Sequence, residues 1–171
     1  MAGRLLQTNL NHCARAQDLF VQTLAEWNIG LAVAAEPYYV HPNRSGWLGD
    51  EDGQVAIVGQ SLPGGPPLAL KEKGEGYVAA EWGEIIIIGV YFSPNRDTDE
   101  FERFLESINR VLNRFNPKPI LVMDDLNAKA VEWGSATSNA KGEILTQWRK
   151  EISIYVTEER YTHACGIMGV Q

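Results

Sequence analysis

The spacing of apolar residues along the chain predicts strands that alternate with helices. Residues 4–10 alternate between apolar and polar side chains, which is typical of a strand. Apolar residues then recur at helical spacing over residues 12–27, and residues 31–35 form a second short apolar strand. A strand–helix–strand unit normally makes its two strands parallel. We therefore expect Asn9 and Glu36, at the same ends of their strands, to lie near one another.

The middle of the chain predicts strands and loops. Residues 42–52 have the composition of a loop, and residues 54–58 read as a strand. Residues 77–82 and 84–92 predict two strands joined by a tight turn at Gly83. The second of these strands is apolar on both faces, which indicates a central position in its sheet. Further turns and loops are expected at 63–67 and 74–76.

A second helix and a short strand follow. Asp97 and Glu100 have the spacing of a capping box, and the helix after them carries a continuous apolar stripe. Asn11 is the candidate N-cap of the first helix. The apolar run 121–123 predicts a buried strand. The remainder predicts a short helix over 142–150 and a strand over 152–157, so that the 171 residues form a single α/β domain.

The strand over 121–123 ends in two carboxylates, Asp124 and Asp125, and Asn127 follows. Side chains alternate across a strand, so Asp125 and Asn127 are expected to point the same way. Such a pair can bind a metal ion, orient a water or hold a phosphate oxygen. The alternative is an ordinary Asx-type turn, because Asp and Asn are common turn residues.

Composition narrows the class of protein. A hydrophobic fraction of 44% fits a globular domain, and no apolar run reaches the length of a membrane span. The net charge of −7 argues against a protein held to nucleic acid by bulk attraction alone. Cys13 and Cys165 lack the spacing of metal ligands, and no signal peptide is evident, so we expect an intracellular protein in a reducing compartment.

Four strand ends carry polar side chains, and together they suit metal-assisted phosphodiester hydrolysis. Glu36 with an amide oxygen from Asn9 offers the hard oxygen ligands of Mg²⁺. Asp125 can orient or deprotonate a water, and Asn127 and Tyr91 can hydrogen-bond phosphate oxygens. Each residue also has a simpler interpretation, in which Asn9 ends a strand, Glu36 is a solvated loop acid and Tyr91 belongs to the core.

The order of several short segments resembles one group of proteins, the apurinic-endonuclease-like endonuclease domains of insect non-LTR retrotransposons, in the endonuclease/exonuclease/phosphatase superfamily. The segments are Gln7-Thr8-Asn9-Leu10-Asn11, Ala35-Glu36-Pro37-Tyr38, Gly89-Val90-Tyr91-Phe92-Ser93-Pro94, Asp124-Asp125-Leu126-Asn127-Ala128-Lys129 and Trp133-Gly134-Ser135. The resemblance runs from about Leu5 to the C-terminus.

The resemblance implies a four-layered α/β sandwich of two packed mixed sheets flanked by helices. It implies a Mg²⁺-dependent nick in target DNA, with Mn²⁺ as a substitute cofactor, in the nucleus and within a longer polyprotein that carries a reverse transcriptase. Asn9 and Glu36 would be metal-site residues. Tyr91 would support the phosphate, while Asp125 and Asn127 would position the nucleophile and the transition state.

The sequence departs from this group at two places. Asp124 stands where the group usually has Gly. The group also continues with further strands and a final Asp-His pair, whereas no His in these 171 residues follows an Asp. The chain is therefore expected to be C-terminally truncated, to lack the final strands and to nick DNA weakly. Two alternatives stay open, namely a catalytically inactive, co-opted binding module and a phosphatase-like enzyme, although Trp133-Gly134-Ser135 favours the retrotransposon group.

Overall fold

Two mixed β-sheets pack face to face and carry helices on their outer faces. The structure is a computed structural model that describes residues 4–152 and 166–169. Its elements are β1 (Arg4–Asn9), α1 (Ala14–Glu26), β2 (Leu31–Ala35), β3 (Trp47–Gly49), β4 (Val55–Gly59), β5 (Leu68–Gly74), β6 (Tyr77–Trp82), β7 (Ile85–Tyr91), α2 (Thr98–Phe115), β8 (Ile120–Asp125), a 3-10 turn (Val131–Trp133), α3 (Ala140–Ile152) and β9 (Gly166–Gly169).

Apart from β9, the first part of the chain builds one sheet and the second part builds the other. The first sheet has the order β3-β4-β2-β1-β9, and the second has the order β5-β6-β7-β8. In the first sheet β1 and β2 are parallel, joined by α1, with Asn9 opposite Ala35. In the second sheet β7 and β8 are parallel, joined by α2, with Tyr91 opposite Asp125. Central β7 is flanked by β6 and β8, as its two apolar faces predict.

Three apolar cores separate the four layers. The core between the sheets contains Leu31 and Ile57 from the first sheet and Ile87 and Met123 from the second. Phe20 and Leu24 of α1 pack on the outer face of the first sheet. The stripe of α2 covers the outer face of the second sheet together with α3; its buried members are Phe101, Phe104, Leu105, Ile108, Val111 and Leu112. This arrangement confirms the predicted four-layered α/β sandwich.

The second helix is the element that the sequence predicts most accurately. Asp97 is its N-cap, and the capping box with Glu100 is formed in both directions. The first helix differs from the prediction, because Cys13 rather than Asn11 is its N-cap and no side chain caps it. Asn11 instead adopts a left-handed backbone conformation with φ of 48°.

Three strands, β3, β5 and β9, lie where the sequence predicts loops or nothing. The predicted loop over 42–52 contains β3, which pairs antiparallel with β4. The edge strand β5 was not predicted; it pairs with β6 and interrupts its register between Leu70 and Glu72. The third helix is longer than predicted and includes Ile152, and the rest of the strand predicted over 152–157 lies outside the described residues. No helix within the two described ranges is long and apolar enough to cross a membrane.

Candidate active site

Asn9 and Asp125 join the two sheets at the carboxyl ends of their strands. The Asn9 side chain donates from Nδ2 to Oδ2 of Asp125 over 2.6 Å. Its Oδ1 accepts a 2.7 Å hydrogen bond from the backbone N–H of Asn11, which fixes the orientation of the amide. A second link between the same strands runs from Nε2 of Gln7 to the backbone oxygen of Asp124. The site therefore exists only where the two sheets are packed together.

Glu36 and Tyr91 form a second pair across the sheets. The Tyr91 hydroxyl donates to Oε1 of Glu36 over 2.6 Å. Burial raises the pKa of Tyr91 above its usual value, and the hydrogen bond and charge of Glu36 raise it further. Tyr91 is 7% exposed, and its side chain belongs to the core between the two sheets. The phenol therefore stays protonated, and it donates that proton in the hydrogen bond to Glu36.

The backbone at Glu36 is held in an unfavourable conformation. Its φ of 48° lies in the left-handed region, which residues with a side chain rarely adopt. Both of its backbone polar groups are bound: the N–H donates to Gln54 over 2.7 Å, and the oxygen accepts from the N–H of His12 over 2.8 Å. Strain that neighbouring groups enforce is common at functional sites. Here the strained backbone turns the carboxylate toward the second sheet.

Asp125 has a raised pKa. Desolvation by burial is the largest cause and Glu36 adds to it, while the Asn9 amide and the backbone N–H of Asn127 oppose the shift. The bond from Asn127 is the Asx-type turn that the alternative interpretation predicts. The Asn127 side chain donates from Nδ2 to the backbone oxygen of Phe92 over 2.9 Å. Asp125 and Asn127 therefore form an Asx-type turn and at the same time belong to the polar cluster.

Asp124 faces away from this cluster. It lines a small cavity with residues of α2 and α3, among them Leu105 and Trp148, on the outer face of the second sheet. The alternation of side chains along β8 explains the opposite directions of Asp124 and Asp125. The carboxylate that replaces the usual Gly therefore does not join the carboxylates of the site.

Two residues near the cluster were missed from the sequence. His12 places Nε2 3.9 Å from Oε1 of Glu36, and its Nδ1 lies 3.1 Å from the backbone oxygen of Pro37. The sequence places His12 only before the first helix; its position in the same β1–α1 connection as Asn9 was the available signal. Gln7 belongs to the first quoted motif, but nothing in its spacing indicates a bond to β8.

The side chains at this edge fit a hard divalent cation. Glu36 and Asp125 lie close enough for the charge of one to raise the pKa of the other. The Asn9 oxygen that accepts from Asn11 keeps a second lone pair. Mg²⁺ binds through one or two carboxylates and retains several waters, so this donor set suits it. The described part of the chain holds no group of three or more His, Cys, Asp or Glu side chains that could bind a metal ion, so amide oxygen and water would have to complete the coordination.

Comparison with known proteins agrees with this geometry. A family model described as endonuclease-reverse transcriptase matches residues 85–165, which include Tyr91, Asp125 and Asn127. No curated protein sequence matches the chain significantly.

Solved structures share the fold over most of the chain. The endonuclease domain of TRAS1, a telomere-specific non-LTR retrotransposon, is 25% identical with a TM-score of 0.76, over 92% of this chain and 74% of that one. The 3′ phosphatase NExo from Neisseria, bound to a product DNA hairpin, is 15% identical with a TM-score of 0.60, over 89% and 70%. An AP endonuclease from Archaeoglobus fulgidus is 13% identical with a TM-score of 0.58, over 88% and 70%.

This chain therefore shares its fold with a retrotransposon endonuclease domain, a 3′ phosphatase and an AP endonuclease. In particular, the chain is similar to the endonuclease domain of a non-LTR retrotransposon, and the resemblance read from the sequence motifs is confirmed. The roles of the individual site residues remain predictions.

Proposed function

We propose that this domain is a Mg²⁺-dependent DNA endonuclease that nicks the target site of a non-LTR retrotransposon. The observation that carries the proposal is the meeting of two cross-sheet pairs, Glu36 with Tyr91 and Asn9 with Asp125, at the carboxyl ends of their strands. Mn²⁺ is the expected substitute metal. The similarity to TRAS1 supports a nuclear role beside a reverse transcriptase in a longer parent polyprotein.

Glu36 and Asn9 would hold the cation. When bound, a divalent cation polarises the phosphate and stabilises the leaving oxygen. Tyr91 fixes the direction of the Glu36 carboxylate, because its single proton is donated there. This bond gives Tyr91 a positioning role, whereas the phosphate contact that the sequence predicts would require the phenol proton to leave Glu36.

Asp125 would orient and deprotonate the attacking water. Its raised pKa makes the carboxylate a stronger base than an exposed aspartate. Asn127 uses one N–H on the Phe92 oxygen and has a second N–H for a phosphate oxygen. The backbone bond from Asn127 to Asp125 keeps these two groups in register.

Nicking of supercoiled plasmid tests the proposal directly. We expect Mg²⁺-dependent conversion to open circles that EDTA and Glu36→Gln each suppress by about 100-fold or more, because several kcal/mol of charge stabilisation are lost. Glu102→Gln, on the exposed side of α2, is the matched control. These 171 residues are expected to nick slowly, since they contain no Asp-His pair and the lack of one general acid or base costs about 10²- to 10⁴-fold. Mg²⁺ affinity should fall in parallel in Glu36→Gln.

The second candidate is a binding module that has lost catalysis. It is favoured by one observation, that the chain contains no Asp-His pair. This candidate predicts DNA binding that is the same in wild type, Glu36→Gln and Asp125→Asn, with no nicking above background in any of them. EDTA-sensitive nicking that depends on Glu36 would exclude it.

A further inference from the structure

Two adjacent tyrosines project into solvent directly after Glu36. Tyr38 is 59% exposed and Tyr39 is 58% exposed, although both follow the fully buried strand β2. Two residues span at most about 7 Å of extended chain, so the Cα atom of Tyr38 lies within that distance of Glu36. The backbone that carries the two rings therefore begins close to the candidate active site.

The backbone beneath these rings is fixed. The side chain of Gln17 accepts from the N–H of Tyr38 over 2.8 Å and from the N–H of Tyr39 over 3.3 Å. Its Nε2 donates to the backbone oxygen of Tyr39 over 2.9 Å. The ring of Tyr39 also meets His41 edge-on at 5.9 Å between centroids. A fixed backbone under exposed rings lowers the entropy lost when a ligand binds.

The charge around the tyrosines suits a phosphate backbone. Residues 37–49 and 10–17 contain no Asp or Glu, in a chain of net charge −7. The exposed Arg44 lies in the first of these segments, with its guanidinium 5.1 Å from the centre of the Trp47 ring. Arg15 lies in the second, at the start of α1. These two segments therefore contribute basic side chains and no carboxylate beside the tyrosines.

We propose that Tyr38 and Tyr39 are a stacking platform for unpaired DNA bases beside the scissile bond. Bases in an intact duplex are stacked on one another and cannot lie on an external ring, whereas unpaired bases can. The preferred substrate would then be DNA with an unpaired or distorted segment one to a few nucleotides from the nick. This inference rests on the proposed function, because it uses that site to place the strand.

Binding without metal tests the platform separately from catalysis. The probe is a DNA duplex with a short bubble that contains 2-aminopurine, whose fluorescence is quenched by stacking. Wild type is compared with Tyr38→Leu/Tyr39→Leu and with Tyr38→Phe/Tyr39→Phe. Trp27→Leu, an exposed aromatic at the far end of α1, is the matched control. Circular dichroism confirms that each variant is folded.

We expect the Leu pair to bind the bubble about 5- to 100-fold more weakly and to lose the quenching, as stacking energies per base indicate. The Phe pair and Trp27→Leu should bind as wild type does, and the fully paired duplex should bind all variants equally. Equal bubble binding by wild type and the Leu pair overturns the platform. A change in sedimentation of the Leu pair without a change in DNA binding also overturns it, since the rings would then face a second copy.

The outcomes separate the two proposals. If Glu36-dependent nicking occurs but the Leu pair binds normally, the platform is wrong and the proposed function stands. If nicking is absent but quenching depends on the two rings, the platform stands and the catalytic proposal fails.

Discussion

The amide of Asn9 and the carboxylate of Asp125 meet across 2.6 Å, although 116 positions separate them in the chain. The amide opposes the rise in the pKa of Asp125 that burial causes. It thereby sets how readily this carboxylate ionises. The side-chain oxygen of Asn9 would also bind the cation. Asn9 would therefore act both on the metal ion and on the proposed base, Asp125.

Replacing Asn9 with Ala should raise the pKa of Asp125 further, because an opposing hydrogen bond is lost. We expect nicking to fall by about 10- to 100-fold, a typical effect of a supporting residue at a metal site. The rising limb of the pH–rate profile should move to higher pH. Asn113→Ala, on the exposed face of α2, is the control. An unchanged profile in Asn9→Ala would show that Asp125 does not govern the rate.

Tyr91→Phe removes the hydroxyl that donates to Glu36. The fold should lose about 1–2 kcal/mol of unfolding free energy, because a hydrogen bond to a charged group is removed and the remaining carboxylate is partly desolvated. Thermal unfolding measures this loss, and calorimetric Mg²⁺ titration should show weaker binding. Tyr38→Phe removes an exposed hydroxyl and should alter neither. Equal Mg²⁺ affinity in Tyr91→Phe and wild type would argue against a positioning role.

Asp50 should give the stability of the protein a pH dependence of its own. The carboxylate is 7% exposed and accepts from the N–H groups of Gln54 and Gly76 over 2.8 Å and 2.9 Å. Desolvation raises its pKa above 3.8, and nearby Asp52 adds to the shift. The folded chain therefore keeps a proton that the unfolded chain releases. The stabilisation is complete below pH 3.8 and is lost as the pH rises through the folded pKa.

Comparison with Asp50→Asn isolates this effect. The variant should be less stable by about 1–3 kcal/mol at low pH, because the NH₂ group that replaces one carboxyl oxygen faces an N–H donor. The stability advantage of wild type should shrink as the pH rises from 3.8 toward neutrality. Chemical denaturation at several pH values measures it. A constant difference would mean that Asp50 titrates normally.

Glu81 should make the stability of the protein depend on pH in the opposite direction from Asp50. Lys118 and Lys71 hydrogen-bond its carboxylate at 2.6 Å each and lower its pKa from 4.5 to about 2. Its contribution to stability is present above pH 4.5 and is lost as the pH falls through 2. Glu81→Gln should therefore lower the melting temperature at neutral pH, with no difference near pH 2. Added salt should reduce the effect, and Glu84→Gln is the exposed control.

The elements that the sequence predicts well are those whose local pattern agrees with their tertiary environment. The stripe on α2 and its capping box fix that helix without reference to the rest of the chain. β7 is apolar on both faces because it lies between two strands and between two cores. The edge strand β5 has mostly exposed or half-buried positions and no regular alternation, so its sequence carries no strand signal. The three residues of β3 are too few to form a pattern.

The sequence likewise predicts only part of the candidate site. Strand ends predict where Asn9, Glu36, Tyr91 and Asp125 lie within their own sheets, since parallel crossovers bring such ends together. The partner of each side chain was not predictable, because it depends on how one sheet packs against the other. The hydrogen bond from Tyr91 to Glu36 is one example, and the short distance between His12 and Glu36 is another.

Residues 60–67, between β4 and β5, divide the site and, apart from β9, also separate the strands of the two sheets. Asn9 and Glu36 precede this connection, whereas Tyr91 and Asp125 follow it. A chain cut there would yield two fragments, each with one half of each polar pair. Neither fragment alone could form the polar site, so the site is complete only when the two parts of the chain have assembled.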